Sequence, residues 1–460
     1  MTKRPKIELT SPRKTVEVHL PDGRVYAGPR GANAADFLKP FQDSNNPTVG
    51  AVINNQLREL TYPINMDAQI RPITMSEADG MRFYRRSLTF LLECAFHQLF
   101  PRAYLTIDHS VSSGGYFCQV FNRPALTEQE LGQLEERMHE LVAQDVPFKR
   151  QEVPLAEAIE YFRQLGHNDK VRLLKYRRKD HLVLYSLNGY RDYHHGYMVP
   201  STGYLKWFAL SPTTEDGFTL RFPRRHKPTE LLPMPGYPTL LDTFRQYGDW
   251  LQRLGVDSVG ALNDAIQQGR AQEIVLVAEA LHEQRIAEIA GLIAARIQNL
   301  RVVLIAGPSS SGKTTFSKRL SIQLLARGIS PFPLEMDNYF IDRELTPRDE
   351  NGELDFEALQ AVNTAQLGED IQALITGKTV QLPHYDFKVG RSGPGERVQL
   401  QPGQIIILEG IHGLNPGLIP NIPSQYTFRI YASALTQLNL DRHNRISTTD
   451  TRLIRRIVRD

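Results

Sequence analysis

Gly307-Pro308-Ser309-Ser310-Ser311-Gly312-Lys313-Thr314 is the stretch that decides how this 460-residue chain is read. It follows an apolar run, Val302–Ala306, and opens a helix-like stretch over residues 313–327. That is the P-loop pattern with a strand before it and a helix after it, the context the pattern requires. Glycines let backbone N–H groups close around phosphate oxygens, and the helix N-terminus adds its partial positive charge. Gly307, Ser309, Ser310, Ser311, Gly312, Lys313, Thr314 and Thr315 form the expected cradle. Lys313 would reach the terminal phosphates, and the Thr314 hydroxyl would sit on Mg²⁺. A nucleoside triphosphate is the expected ligand; an ordinary glycine-rich turn is the plainer alternative.

Outward from the loop, strands alternate with helices from residue 301 onward, the sign of a parallel α/β domain. Apolar runs over 331–336 and 404–408 end at Asp337 and at Glu409-Gly410, and a third spans 426–431. Ligands of open parallel sheets bind at the carboxyl ends of the strands, where both acids fall. One carboxylate can accept a proton from an attacking hydroxyl, and the other can hold Mg²⁺. Strand-end acids pairing with surface lysines explain either one alone, but less well two beside a P-loop. Residues 450–460 carry Arg452, Arg455, Arg456 and Arg459 on one helical face, with Leu453, Ile454, Ile457 and Val458 on the other. Near a P-loop such a cationic face suits charge on a transferring phosphoryl group. A solvated basic face is the alternative.

The length implies two to four domains. Hydrophobic content of 41% and charged content of 23% are those of a globular protein, and a net charge of +3 argues neither for nor against nucleic acid. Cys94 and Cys118 have no metal-type or redox-type spacing and are expected as buried thiols in a reducing compartment. No apolar run approaches transmembrane length and the N-terminus lacks a signal-peptide core, so no membrane association and a cytoplasmic location are expected.

The front of the chain reads as a β-grasp-like module. It has hairpins over 15–27 and around Asn54-Asn55, a short helix over 34–38, and a closing strand over 70–73. A mixed α+β region follows. Its long helix spans 76–100, with Leu88, Leu91, Leu92, Ala95 and Leu99 on one face. A second helix, 127–144, carries a Thr127/Glu130 capping box, and a third spans 154–165. Strands are expected over 103–107, 115–121, 182–186, 203–210 and 218–221. Residues 228–238 are a proline-rich linker. Residues 239–299 are mostly helical, with breaks at Gly255 and Gly269.

Four motifs in the last third resemble the uridine kinase/phosphoribulokinase family. They are Asp337-Asn338-Tyr339-Phe340, Pro383-His384-Tyr385-Asp386-Phe387, Leu408-Glu409-Gly410-Ile411 and Asp450-Thr451-Arg452-Leu453-Ile454-Arg455-Arg456. The resemblance spans 301–460 and implies ATP- and Mg²⁺-dependent phosphorylation of a nucleoside 5′-hydroxyl. It implies Asp337 as general base, Lys313 as phosphate ligand, and Thr314 and Glu409 on the Mg²⁺ side. Tyr385 and Phe387 would form the nucleobase pocket, Phe356 and Glu357 would hold the sugar, and Arg452 and Arg455 would be catalytic lid residues. Where uridine kinases place a base-reading histidine this chain has Gly390, so the acceptor is left open between a uridine/cytidine-like and another nucleoside. The family continues past the arginine stretch, so the domain is expected to be C-terminally incomplete at Asp460.

Residues 14–230 resemble the TGS module and editing domain of threonyl-tRNA synthetases. Gly50-Ala51-Val52-Ile53-Asn54, Tyr84-Arg85-Arg86-Ser87 and Val199-Pro200-Ser201-Thr202-Gly203 carry the likeness. The family's His-x-x-x-His and Cys-x-x-x-His ligand pairs fall here on Arg86, Phe90, His194 and Met198. Neither zinc nor editing hydrolysis is therefore expected, and His194-His195 reads as a surface or loop pair. The basic clusters at Arg172, Lys175, Arg177, Arg178, Lys179 and at Arg224, Arg225, Lys227 suit either a solvated face or RNA contact. The second function class is thus an ATP-switched RNA- or tRNA-binding regulator; regulation of the kinase or dimerisation by this module is a third. The expected fold class is multidomain α+β and α/β: a TGS-like β-grasp module (1–75), an editing-like α+β domain (76–230), a helical linker (231–299), and a P-loop α/β kinase domain with a parallel sheet (300–460).

Overall fold

The computed structural model describes residues 11–111, 113–214, 217–349, 352–435 and 438–459. It divides into two compact units. The front unit takes residues 1–268 together with 437–446, and the back unit takes 269–436 and 447–460. The helical stretch 231–299 is thereby divided between them.

The front unit opens with a five-stranded sheet in the order Val25–Pro29, Thr15–His19, Ala68–Thr74, Thr48–Ile53, Gln56–Arg58. Thr15–His19 pairs parallel with Ala68–Thr74; the other pairs are antiparallel. The second hairpin turns through Asn54 and Asn55 at φ 48° and 63°. Both are left-handed, as a tight two-residue hairpin demands, and asparagine tolerates that region. Helix Ala34–Leu38 covers the sheet with Phe37 and Leu38.

Helix Ala78–Leu99 is the centre of the next region. Its expected single apolar face is an underestimate: every residue from Ser87 to Phe96 is buried. Helix Glu128–Ala143 and strands Tyr104–Val111, Tyr190–Asp192 and Thr48–Ile53 pack around it, and a helix enclosed on all sides has no solvent face to keep polar. Thr127 and Glu130 form the expected reciprocal cap. One antiparallel sheet runs Ala209–Thr214, Gly217–Arg221, Gly115–Phe121, Tyr104–Val111, and a second runs Tyr190–Asp192, His181–Leu187, Lys149–Pro154.

The strand expected over 203–210 is corrected by the structure. Thr202–Tyr204 is a 3-10 turn, clamped because Thr202 Oγ1 donates to Leu141 O at 2.5 Å and accepts from Val146 N at 2.8 Å; pairing starts at Ala209. Strand Lys149–Pro154 was not legible because only Val153 in it is buried.

Three helices follow, Pro238–Leu254, Val259–Gln267 and Ala271–Ala295, with the breaks at Gly255 and Gly269, both at positive φ. The last belongs to the back unit. There a parallel sheet runs Pro331–Glu335, Ile405–Gly410, Val302–Ala306, Thr427–Tyr431. All five residues of Val302–Ala306 are buried, as befits a strand paired on both sides and covered on both faces. One face carries Ile286, Ile293, Leu320 and Leu324; the other carries Leu367, Ile371 and Leu374. A hairpin, Val380–Asp386 with Arg391–Val398, stands beside this sheet. Its Pro383, Gly393, Pro394 and Gly395 hide it from a strand pattern. Among the described residues no helix is long and apolar enough to cross a membrane.

Candidate functional site

Strand Val302–Ala306 delivers the chain into Gly307, where a Cβ would stand 2.0 Å from Ala432 O and 2.8 Å from Ser311 Oγ. Only glycine fits there. Ser310 (φ 58°) and Gly312 (φ 94°) are left-handed, the kind of backbone alternation that builds an anion-binding concavity. Helix Lys313–Leu325 begins at once, so its N-terminal N–H groups and dipole face the loop. Ser311 Oγ is buried without a hydrogen-bond partner among the described residues, and its loop setting suits a phosphate oxygen. Ser309 is exposed, and Thr315 lies in the first turn of the helix, also exposed.

Lys313 Nζ donates to Pro308 O at 3.3 Å. Partial burial lowers its pKa, and the nearby Glu409 and Asp337 oppose that shift. Thr314 Oγ1 donates to Glu409 Oε1 at 2.5 Å, joining the helix start to the end of strand Ile405–Gly410. A hydroxyl and a carboxylate side by side are the hard oxygen donors Mg²⁺ prefers. Asp337 stands just past the neighbouring strand, Pro331–Glu335, in the turn Met336–Tyr339. Desolvation raises its carboxyl above the ordinary range, Lys313 pulls it back, and Glu335 raises it further.

Arg452 and Arg455 lie on helix Thr448–Arg459, three residues apart and so on one face. Arg452 Nε donates to Ser309 O at 2.6 Å and Arg455 Nε to Ser310 O at 3.2 Å. The structure thus brings both arginines onto the loop. The helix's other face is uncovered within its unit: Leu453, Ile454, Ile457 and Val458 are all more than half exposed.

Tyr385, Phe387 and Phe340 form an aromatic trio, with ring centroids 5.0, 5.6 and 6.1 Å apart. Tyr385 is buried and its hydroxyl has no partner among the described residues, while Phe387 is exposed. The Tyr385 N–H donates to Asn338 Oδ1 at 3.3 Å, tying the trio to the turn that carries Asp337. Phe356 and Glu357 are not brought together with it. Both are exposed on a loop closed at its base by the bond from Ile341 N to Ala361 O. No hydrogen bond, ion pair or ring contact among the described residues links their side chains to Asp337 or the trio.

In the front unit, Phe90 meets His194 edge-on at 5.6 Å, and Met198 is buried. Arg86 donates to Tyr197 O. The expectation of a surface pair at His194-His195 is corrected for His194, which is buried and lies 3.2 Å from Glu93 Oε2. Burial pushes its pKa down to about 4, so it is neutral. Beside it, wholly buried Lys170 donates to both oxygens of Asp192 at 2.7 and 2.8 Å, and His443 Nδ1 lies 2.8 Å from Asp192. Glu93, Asp192 and His443 gather three ligand-type atoms, yet the Lys170 ammonium, 3.2 Å from His443 Nδ1, already supplies the positive charge a metal would bring. His443 lies 250 residues and more from its partners in sequence, so no local signal could have revealed this cluster.

Residues 302–460 match the family model described as Phosphoribulokinase / Uridine kinase family. A threonine–tRNA ligase of Francisella tularensis subsp. novicida (strain U112) is 31% identical over 197 residues, 43% of this chain. The match takes in 31% of the ligase, so this chain spans about a third of the length of the curated relatives it matches. A structure described as a possible uridine kinase from Bacillus stearothermophilus is 25% identical, covers 32% of this chain and 79% of its own, and has a TM-score of 0.27. A D-glycerate 3-kinase from Cryptococcus neoformans var. grubii serotype A is 20% identical, covers 28% and 52%, and has a TM-score of 0.21. The chain therefore joins a P-loop region that matches the Phosphoribulokinase / Uridine kinase family model to a front half similar to part of threonine–tRNA ligase.

Proposed function

We propose that the back unit is an ATP- and Mg²⁺-dependent kinase that transfers the γ-phosphoryl group to the 5′-hydroxyl of a nucleoside. The observation that carries this reading is the Thr314–Glu409 pair and Asp337 at the ends of two neighbouring strands beside one P-loop. The P-loop N–H groups and Lys313 hold the phosphates. Asp337 accepts the hydroxyl proton as the substrate oxygen bonds to the γ-phosphorus and the bond to the ADP oxygen breaks. Arg452 and Arg455 turn from the loop carbonyls to the charge that develops on the phosphoryl oxygens. Thr314 and Glu409 would hold Mg²⁺, which when bound would supply charge neutralisation at the phosphate oxygens. The aromatic trio stacks the base, and Phe356 and Glu357 would take the sugar if their loop moves toward it, a role supported by the resemblance alone. The test is phosphoryl transfer from ATP across nucleosides, sugars and glycerate, with the wild type and Asp337→Asn. Transfer to a nucleoside that falls roughly 10²–10⁴-fold in kcat in the variant is expected. An equally active variant, or transfer to sugars or glycerate alone, refutes the assignment.

A second reading, an ATP-switched RNA-binding regulator, draws support from the 31% identity to threonine–tRNA ligase. The first basic cluster is partly neutralised within its unit, since Arg172 and Lys175 lie 3.5 and 3.7 Å from Asp264. Binding of tRNA by the full chain that weakens steeply with salt would favour this reading; no binding at low salt removes it.

A further inference from the structure

The front unit holds a cavity of about 270 Å³ that neither proposed activity uses. Its walls are the strand Tyr104–Val111, the helix Pro238–Leu254 and residues of the 438–446 segment. Along the strand, alternation points Tyr104 and Asp108 into the cavity. A bulge between Ile107 and His109 breaks the alternation and adds His109 to the same wall.

His109 is clamped between Phe117, 5.0 Å away, and Phe244, 3.8 Å away and nearly parallel. It is 5% exposed, and its Nε2 has no hydrogen-bond partner among the described residues. Burial pushes the ring's pKa down to about 3, so it is neutral and can offer an acceptor nitrogen. Asn439 donates through Nδ2 to Ile107 O at 3.2 Å and Asp108 O at 3.1 Å, which fixes the orientation of its amide. Its Oδ1 is left buried and unpartnered. His109 and Asn439, each with one buried and unpartnered polar atom, thus both line this cavity, and such an atom is costly unless a partner reaches it.

The charges favour a cation. Asp169 is neutralised by Arg442, whose Nη2 and Nε lie 2.8 and 3.1 Å from it, and Asp441 is held by Tyr193 and Asn444. Asp108, Asp242, Asp249 and Asp257 remain, opposed by Arg245 on the wall and by Arg445, whose Nε donates to Asp108 O at 3.1 Å and whose charge acts on both Asp108 and His109, so four acids face two cations. Phe121, stacked on Tyr104 at 5.2 Å, provides flat apolar surface, while the Arg442 guanidinium lies 4.5 Å from the centroid of the Tyr104 ring. We propose that this cavity binds a small organic amine. Its ammonium donates to the Asp108 carboxylate, Asn439 Oδ1 and His109 Nε2, and its aliphatic stem lies against the aromatic rings. The volume sits just below the roughly 300–1,000 Å³ of common small-molecule sites, which suits a short ligand.

The test is isothermal calorimetry and thermal shift on the full chain with putrescine, agmatine and spermidine. Magnesium chloride and inorganic phosphate at matched ionic strength are the controls. Saturable binding of at least one amine, near one per chain, is expected, weakened tenfold or more by Asp108→Asn. Asp249→Asn, an exposed change that leaves the core intact, is expected to weaken it several-fold, and it decides the matter if Asp108→Asn does not fold. Binding of Mg²⁺ alone, of phosphate alone, of no amine up to millimolar concentration, or amine binding unchanged in the folded variants overturns the proposal.

Discussion

At Gly312 backbone and function meet in one residue. Its φ of 94° is strained for any residue with a side chain, and Arg455 Nη2 lies 3.1 Å from where a Cβ would stand. Gly312→Ala is expected to weaken ATP binding tenfold or more while leaving the melting temperature within a few degrees, which calorimetry and a thermal melt together check. At Asp337 the raised pKa sets a pH dependence. In the proposed role the carboxylate must be charged to take a proton, so kcat is expected to fall as pH drops through a value above the ordinary 3.8. That acid limb is expected to vanish from the residual activity of Asp337→Asn in a pH–rate profile. The P-loop residues were legible because their work is done by backbone conformations that local sequence dictates. Phe356 and Glu357 show the limit. Their type was legible, but their place depends on a loop whose path no local rule fixes.

At the scale of elements, legibility followed periodicity and capping. The helix Glu128–Ala143 was readable from both ends because Thr127 and Glu130 satisfy each other's backbone donors. Thr127→Ala is expected to cost about 1 kcal/mol, read as a lower denaturation midpoint at unchanged slope. The strand Lys149–Pro154 and the hairpin Val380–Asp386 with Arg391–Val398 were illegible for a common reason. Their pairing rests on backbone hydrogen bonds to a partner strand, while Lys149–Pro154 and Arg391–Val398 are mostly exposed and Val380–Asp386, which buries Val380, Pro383 and Tyr385, has a proline where a strand pattern expects none. The arginine helix was readable as amphipathic, but its apolar side is not covered within its unit. Periodicity names a face and does not name what covers it.

At the scale of the whole molecule, the segment 438–446 matters most. It follows the last strand of the back unit in sequence, yet it packs as part of the front unit. Asp441, His443 and Asn444 join Lys170, Asp192 and Tyr193 in a buried polar network. Removing its cation leaves buried carboxylates uncompensated, so Lys170→Met is expected to cost about 3–5 kcal/mol of front-unit stability by chemical denaturation. Asp169 gives the network an acid limit. Burial alone would raise its carboxyl, but Arg442 and Lys170 outweigh that and hold it at about 2. A folded pKa below the unfolded value of 3.8 means stability that is full above about pH 4 and lost as pH falls toward 2. Arg442→Ala is expected to flatten that part of the acid-unfolding curve.

The P-loop, the two strand-end acids, the β-grasp-like front and the caps could be read from the chain because each is encoded within a few neighbouring residues. Tertiary structure alone decided that Thr314 meets Glu409, that Arg452 and Arg455 reach the loop, and that His443 is buried beside Asp192. These pairings join residues about 90 to 250 positions apart. No local propensity encodes such a distance; it is set when the sheets and helices bury their apolar faces and the polar groups carried with them must find partners.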